Sequence, residues 1–188
     1  MHLDHDSELA LHEAVALVNA DDDRTGGDVL ASVGALGAFL DAAGISGTRA
    51  GTEAELRAVR RLRTRLRGVF DAAAAGRLDA VVADLNRLIA DAGATPQLVE
   101  HDGNPLHLHY TRPDAPLQHR LGAEMAIALA VVLRDGGLER LRVCESPDCR
   151  RAFVDLSRNR SRRYCDAQCA NRQHVAAYRQ RRAQADRA

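Results

Sequence analysis

No lysine and no tryptophan occur in this 188-residue sequence, and aromatic residues make up 3% of it. All 26 basic residues are arginine; with the abundance of alanine, that reads as a GC-rich coding bias, and no function is drawn from it alone. So few aromatic rings leave an aliphatic, helical core as the way to use a 46% apolar composition. They also disfavour stacking of single-stranded bases. The sequence has no G-x-S-x-G, no H-E-x-x-H and no glycine-rich phosphate loop, and no cysteine outside one cluster that could serve as a thiol nucleophile. Catalysis is therefore not expected. The longest apolar run, Met125 to Leu133, is too short to span a bilayer, and Met1 to Asp6 has no basic stretch leading into an apolar one. A cytoplasmic protein in a reducing compartment, with no membrane partner, is the expectation. Internal repeats and low-complexity linkers are also absent.

What is present converges on the last quarter. The four cysteines, Cys144, Cys149, Cys165 and Cys169, fall as C-x4-C and C-x3-C with fifteen residues between the pairs. Two close pairs separated this way supply the corners of a tetrahedral zinc site. The first pair brackets Glu145-Ser146-Pro147-Asp148, a turn-forming run suited to a knuckle. The second pair has helical i, i+4 spacing, which puts both sulfurs on one face. Two disulfides would need an oxidising compartment, iron–sulfur spacings differ, and isolated buried cysteines would not pair so tightly. One structural Zn²⁺ is the reading, since four thiolates close the shell that a catalytic zinc keeps open.

Charge is divided along the chain. Net charge is zero overall, but residues 140–188 hold 13 arginines against 5 acids, a net of +8, and residues 1–139 carry the balancing −8. Four thiolates and one Zn²⁺ bring the tail to about +6. A basic module beside an acidic body suits a polyanion partner.

Ahead of the cysteines the pattern is helical. Residues 8–19 place Leu11, Val15 and Val18 on one face. The loop Asp21 to Gly27 lacks the ligand alternation of a calcium site and reads as solvated. Ser32 caps a helix running to Ala43, stopped by Gly44. Thr52-Glu53-Ala54-Glu55 is a capping box opening a long helix with Leu56, Val59, Leu62, Leu66, Val69 and Phe70 inward. Its other face carries Arg57, Arg60, Arg61, Arg63, Arg65 and Arg67 and is expected to be a solvated face paired with the body's excess acids rather than a second nucleic-acid surface. Another helix covers 79–92. The period then falls to two, and 98–110 reads as a β-hairpin turning at Asp102-Gly103-Asn104-Pro105. Leu106, Leu108 and Tyr110 are expected to face the core, with His107 and His109 together on the outside and His101 nearby. Two strand histidines can share an ion, but no third ligand is fixed, so exposed histidines are the expectation. Leu117 to Arg134 is apolar over most of its surface and should be the central helix. The connector Leu138 to Val143 is short, so the cysteine module should dock on the body.

The stretch Cys144 to Arg182 resembles the CGNR zinc finger. The naming motif reads Cys169-Ala170-Asn171-Arg172, with alanine for glycine, and the segment D-x-S-R-N-x-S-R-R-x-C runs intact from Asp155 to Cys165. Upstream, Val18-Asn19, Asp28-x-Leu30 and the order of helices, hairpin and helix resemble the ABATE domain that precedes this finger. Together the two resemblances cover nearly the whole chain. They imply a stress-induced transcription regulator with a treble-clef-like finger. The expected fold is thus mainly α with a small β-hairpin: a helical domain over 1–137, and over 138–188 a zinc finger with a basic C-terminal helix.

DNA is the expected partner, with a second copy of the chain and a small-molecule effector as further candidates for the N-terminal domain. Arg158, Arg160, Arg162 and Arg163 before the second cysteine pair, and Arg172, Arg179, Arg181 and Arg182 on the helix after it, are the candidate phosphate contacts. Phe153, Asp155, Ser157, Asn159 and Asn171 are assigned to support of the finger. The alternative is an RNA-binding or protein-interaction module, stabilised by zinc and attached to a small-molecule-binding domain.

Overall fold

In the computed structural model, which describes residues 5–21, 27–100 and 106–185, six α-helices are joined by two short antiparallel hairpins. The order is α1 (His5–Val18), α2 (Val33–Ala42), α3 (Glu53–Ala74), α4 (Leu78–Asp91), β1 (Gln97–Val99), β2 (His107–His109), α5 (Leu117–Gly136), a 3₁₀ turn (Leu138–Arg140), β3 (Leu141–Val143), β4 (Ala152–Val154) and α6 (Ala167–Ala185). Most of the 21–27 acidic loop, the 102–105 turn and His101 lie outside the described residues.

The helix starts follow the local chemistry. Ser32 Oγ accepts from the Ala35 N–H at 3.2 Å, and Thr52 Oγ1 accepts from the Glu55 N–H at 3.2 Å. Glu55 reaches back further than a capping box requires, accepting from the N–H groups of Ala50 and Gly51, both at 2.9 Å. Helix α5 is the centre. Leu117, Leu121, Met125, Leu129 and Val132 are buried against α1, α3 and α4. Gly122 faces Leu62 of α3 across this packing, where a Cβ would be in ordinary contact at 3.4 Å.

The arginine face of α3 pairs with acids of the body, as at Arg65 and Asp91, but it is not all solvated. Arg63 is buried and grips the Asp28 carboxylate with two hydrogen bonds, 2.5 and 3.1 Å long. Arg60 donates twice to the Leu30 carbonyl, at 3.0 and 2.7 Å, while Asp28 also accepts from the Leu30 N–H. The Asp28-x-Leu30 motif thus pins the loop before α2 onto α3. A fork needs a fixed partner, and these backbone acceptors cannot be read from helical periodicity.

The first hairpin also departs from expectation. Its register pairs Leu98 with Leu108 and Val99 with His107, as the alternation predicts. The faces are inverted, however: Leu98, Leu106 and Leu108 are exposed, and His107 and His109 are half-buried. A period of two fixes which side chains share a face, not which face turns in. Here the surface beneath carries Glu13 of α1 and Glu124 of α5, and buried carboxyl groups take polar neighbours rather than leucines.

A second hairpin, which no alternation in the sequence announces, follows α5. Strands β3 and β4 pair with Leu141 opposite Val154 and Val143 opposite Ala152. β3 packs on α3 and β4 on α1, so Leu141, Ala152 and Val154 complete the core of the helical body. Phe153, between the last two, points the other way and packs with the four cysteines.

Candidate metal centre and basic face

The cysteine cluster is built from a knuckle and a helix start. Cys144 follows β3, and its N–H continues the ladder to the Arg151 carbonyl at 2.9 Å. The chain turns tightly, with the Cys149 N–H donating to the Ser146 carbonyl at 2.9 Å. Ser146 is itself buried, and its Oγ accepts from Gln173 of α6 at 2.9 Å. Cys165 precedes α6 rather than lying on it. Asp166 caps the helix, its carboxylate accepting from the Cys169 N–H at 2.7 Å, and this places Cys169 in the first turn.

All four sulfurs lie within 4.8 Å of one another. Cys149 Sγ is 3.7 Å from Cys165 Sγ, which is 3.8 Å from Cys169 Sγ. A tetrahedron of thiolates with zinc–sulfur bonds of about 2.3 Å has edges of about 3.8 Å, whereas a disulfide needs about 2.05 Å. The spacing therefore fits zinc and excludes disulfides between these pairs. The electrostatics agree. Burial pushes the Cys144 and Cys165 thiols up, and the neighbouring cysteines add to the effect at Cys165. Four thiolates can share this space only around a cation. The Cys165 N–H and Arg172 Nη2 point at Cys144 Sγ and Cys169 Sγ, at 3.4 and 3.1 Å, and such donors offset the remaining sulfur charge.

Asp155 organises the loop between the cysteine pairs. It is fully buried, and its two oxygens accept from the N–H groups of Ser157 and Arg162, each at 2.9 Å. Burial raises its pKa, but the Ser157 hydroxyl and N–H, with the Arg162 N–H, hold it below the ordinary carboxylate range. Arg140, also buried, ties the loop from below by donating to the carbonyls of Asp155 and Ser157 at 2.6 and 3.1 Å. Arg142 donates to the carbonyls of Glu139, Arg162 and Arg160. The loop also contains a residue in the left-handed region, Arg160 at φ 51°.

The eight candidate arginines divide by environment. Arg162 donates to the Tyr164 and Cys165 carbonyls and lies 5.1 Å from the Phe153 ring centre. Arg160 pairs with Glu139, and Arg163 with Glu145 at 2.7 Å. Arg172 contacts the Cys169 sulfur. The side chains of Arg158, Arg179, Arg181 and Arg182 are exposed and have no hydrogen bond or ion pair among the described residues. Asn159 and Asn171 are exposed, and no side-chain hydrogen bond ties either of them to the finger among the described residues.

Two residues outside the cysteine region join finger to body. Asn19 Nδ2 donates to the Ala152 carbonyl at 2.9 Å, and its Oδ1 accepts from the Ala152 N–H at 2.8 Å. Arg67 donates to the carbonyls of Arg150 and Val18, at 2.8 and 3.1 Å. Asn19 appears in the sequence only as part of the Val18-Asn19 resemblance, and nothing local announces a partner 133 residues away.

No helix among the described residues is long and apolar enough to cross a membrane. No curated protein matches the chain. Two family models do. The CGNR zinc finger matches residues 140–182, and ABATE, described as "Putative stress-induced transcription regulator", matches residues 11–136. Neither is an enzyme family. With its N-terminal two-thirds covered by the ABATE model and its cysteine tetrad by the CGNR model, the chain belongs to the ABATE family and carries a C-terminal CGNR zinc finger that holds one structural zinc ion.

Proposed function

We propose that this protein is a DNA-binding transcription regulator whose finger contacts DNA, while its N-terminal domain senses a signal or joins two copies of the chain. The observation that carries the reading is the environment of α6. Of its described side chains only Cys169 is buried, and beyond Gln173, whose amide reaches Ser146, about 18 Å of helix is largely exposed. Arg172 and Arg179, seven residues apart, share one face, with Arg182 on its flank. Arg158 lies in the loop that Asp155 and the zinc hold at the start of this helix. A clear helix with arginines on one side and a rigid basic loop at its base suits a groove with flanking phosphates. Arg160 and Arg163 add to that surface. Their pairs with Glu139 and Glu145 are exposed and weak, so a phosphate can replace the carboxylate.

A second reading has its own support. Val175 and Tyr178 are exposed on α6 at helical i, i+3 spacing, a pattern that also suits a partner helix. Salt separates the two. With four to eight phosphate contacts, a fourfold rise in salt should weaken binding by about 10² to 10⁴, and an apolar helix interface should not respond this way. The first test is selection of genomic DNA fragments by zinc-loaded protein at near-physiological salt, with Cys165→Ser in parallel. Enrichment of a short motif that vanishes in the variant supports the proposal, and an inverted repeat adds a dimer. No enrichment by folded, zinc-loaded protein overturns specific DNA binding by this chain alone.

A further inference from the structure

Away from the finger, a cavity of about 420 Å³ opens between α1, α5, the inverted hairpin and the loop after α2. Its volume is that of a small-molecule site. Apolar walls come from side chains such as Leu9, Ile45, Leu121 and Ile127. At one place the lining becomes polar. Glu13 and Glu124 enter from facing helices, with His107 and His109 from the hairpin above them. His109 Nδ1 lies 3.7 Å from Glu124 Oε1, and its Nε2 lies 3.1 Å from His107 Nε2.

We infer that this cavity binds an organic cation, an ammonium group on an apolar body, with Glu13 and Glu124 as its counter-charges. Among the described residues three acids, Asp6, Glu13 and Glu124, face the cavity against one permanent cation, Arg120, and the Arg120 guanidinium is engaged with the carbonyls of Ser46 and Thr48 at 3.1 and 2.6 Å. The chamber is therefore short of positive charge. Burial pushes Glu13 up to about 7, aided by Glu124, and burial raises Glu124 as well despite the pull of Arg120. A bound cation relieves both. A metal ion fits less well. Among the described residues, the cysteine tetrad is the only group of three or more donors close enough together for one ion. The cavity also greatly exceeds what an ion fills. The leucines that the hairpin turns outward, Leu106 and Leu108, line the same opening and extend the apolar wall. Glu13 lies on α1, which ends at Val18, and Asn19 just beyond it is hydrogen-bonded to Ala152 of β4, so the site has a direct structural connection to the finger.

This inference gives the sensing role proposed above a location and a ligand class, and its test omits DNA so that the two can fail separately. The full zinc-loaded chain is titrated with hexylamine, phenethylamine and tetraethylammonium, and with the alcohols that match the first two. Binding is followed by methyl and imidazole resonances and by calorimetry. At least one of the cations should bind with Kd below about 10 mM, the weak limit for so few heavy atoms, and at least about tenfold tighter than the alcohols. The shifts should centre on His107, His109 and the α1–α5 methyls. Glu124→Gln should bring amine and alcohol affinities together while zinc content and helicity stay unchanged. Near pH 7, amine binding should release protons as Glu13 ionises, which calorimetry in two buffers detects. Should Glu124→Gln fail to fold, the amine-to-alcohol ratio in the natural chain still decides. Equal binding of amine and alcohol, perturbations elsewhere, or no binding by any of the cations overturns the assignment.

Discussion

The two hairpins have the same local form and opposite fates. Each pairs two three-residue antiparallel strands. Around β3 and β4 there is an apolar surface on both sides: the α1–α3 seam below and the zinc cluster above. Ala152, Phe153 and Val154 are accordingly all buried. Around β1 and β2 there is a cavity whose nearest groups are the carboxyls of Glu13 and Glu124 on one side and solvent on the other, and the leucines sit exposed at its opening. A short strand has little preference of its own, so burial follows what its neighbours can satisfy. The metal is what gives the second hairpin its other wall.

The sharpest way to break this comparison is to remove the metal. Chelation or Cys165→Ser should unfold α6 and the loop, because structural zinc contributes about 10–16 kcal/mol of apparent binding free energy to modules of this kind. Because β4 belongs to both cores, the body should lose stability too. Circular dichroism should show more helix lost than α6 contains, and a loss confined to α6 would make the two cores independent. Next comes the polar join. Asn19→Ala leaves the Ala152 N–H and carbonyl buried without partners and should cost about 2–4 kcal/mol in urea unfolding. A cost under about 0.5 kcal/mol would mean that apolar contact alone docks the finger.

A comparable effect, dependent on pH, is expected under the first hairpin. Glu13 has a folded-state pKa of about 7, above its ordinary value of 4.5. The folded state therefore holds the proton more tightly, and stability falls as pH rises from about 4.5 to 7. Glu13→Gln cannot ionise. Relative to the natural chain it should gain about 2–4 kcal/mol between pH 5 and pH 8, read from urea midpoints. The smallest effect should come from the outer leucines. Leu98→Thr and Leu108→Thr should each stay within about 0.5 kcal/mol, against about 3–5 kcal/mol for Phe153→Ala at the centre of the other hairpin.

The parts legible in sequence are those whose cause is local. The C-x4-C and C-x3-C spacing identified the metal set, and the caps at Ser32 and Thr52 located two helix starts. Apolar periodicity found α3 and α5. The contacts that assemble these parts were hidden because their partners are distant in sequence. Asn19 reads as an ordinary polar residue until Ala152 arrives beside it. Arg60, Arg63 and Arg67 look like a solvated stripe until a loop supplies Asp28 and bare carbonyls. The facing of the first hairpin depended on Glu13 and Glu124, which no pattern within 98–110 contains.

The double membership of β4 also bears on the order of synthesis. A ribosome delivers α1 through α5 before residues 141–154 have left the exit tunnel, so the nascent helical body has its α1–α3 seam uncovered. Sealing that seam requires the last quarter of the chain, and completing the last quarter requires an ion captured from the surroundings. Maturation of the helical body is thereby placed downstream of metal supply, although none of its own helices provides a ligand.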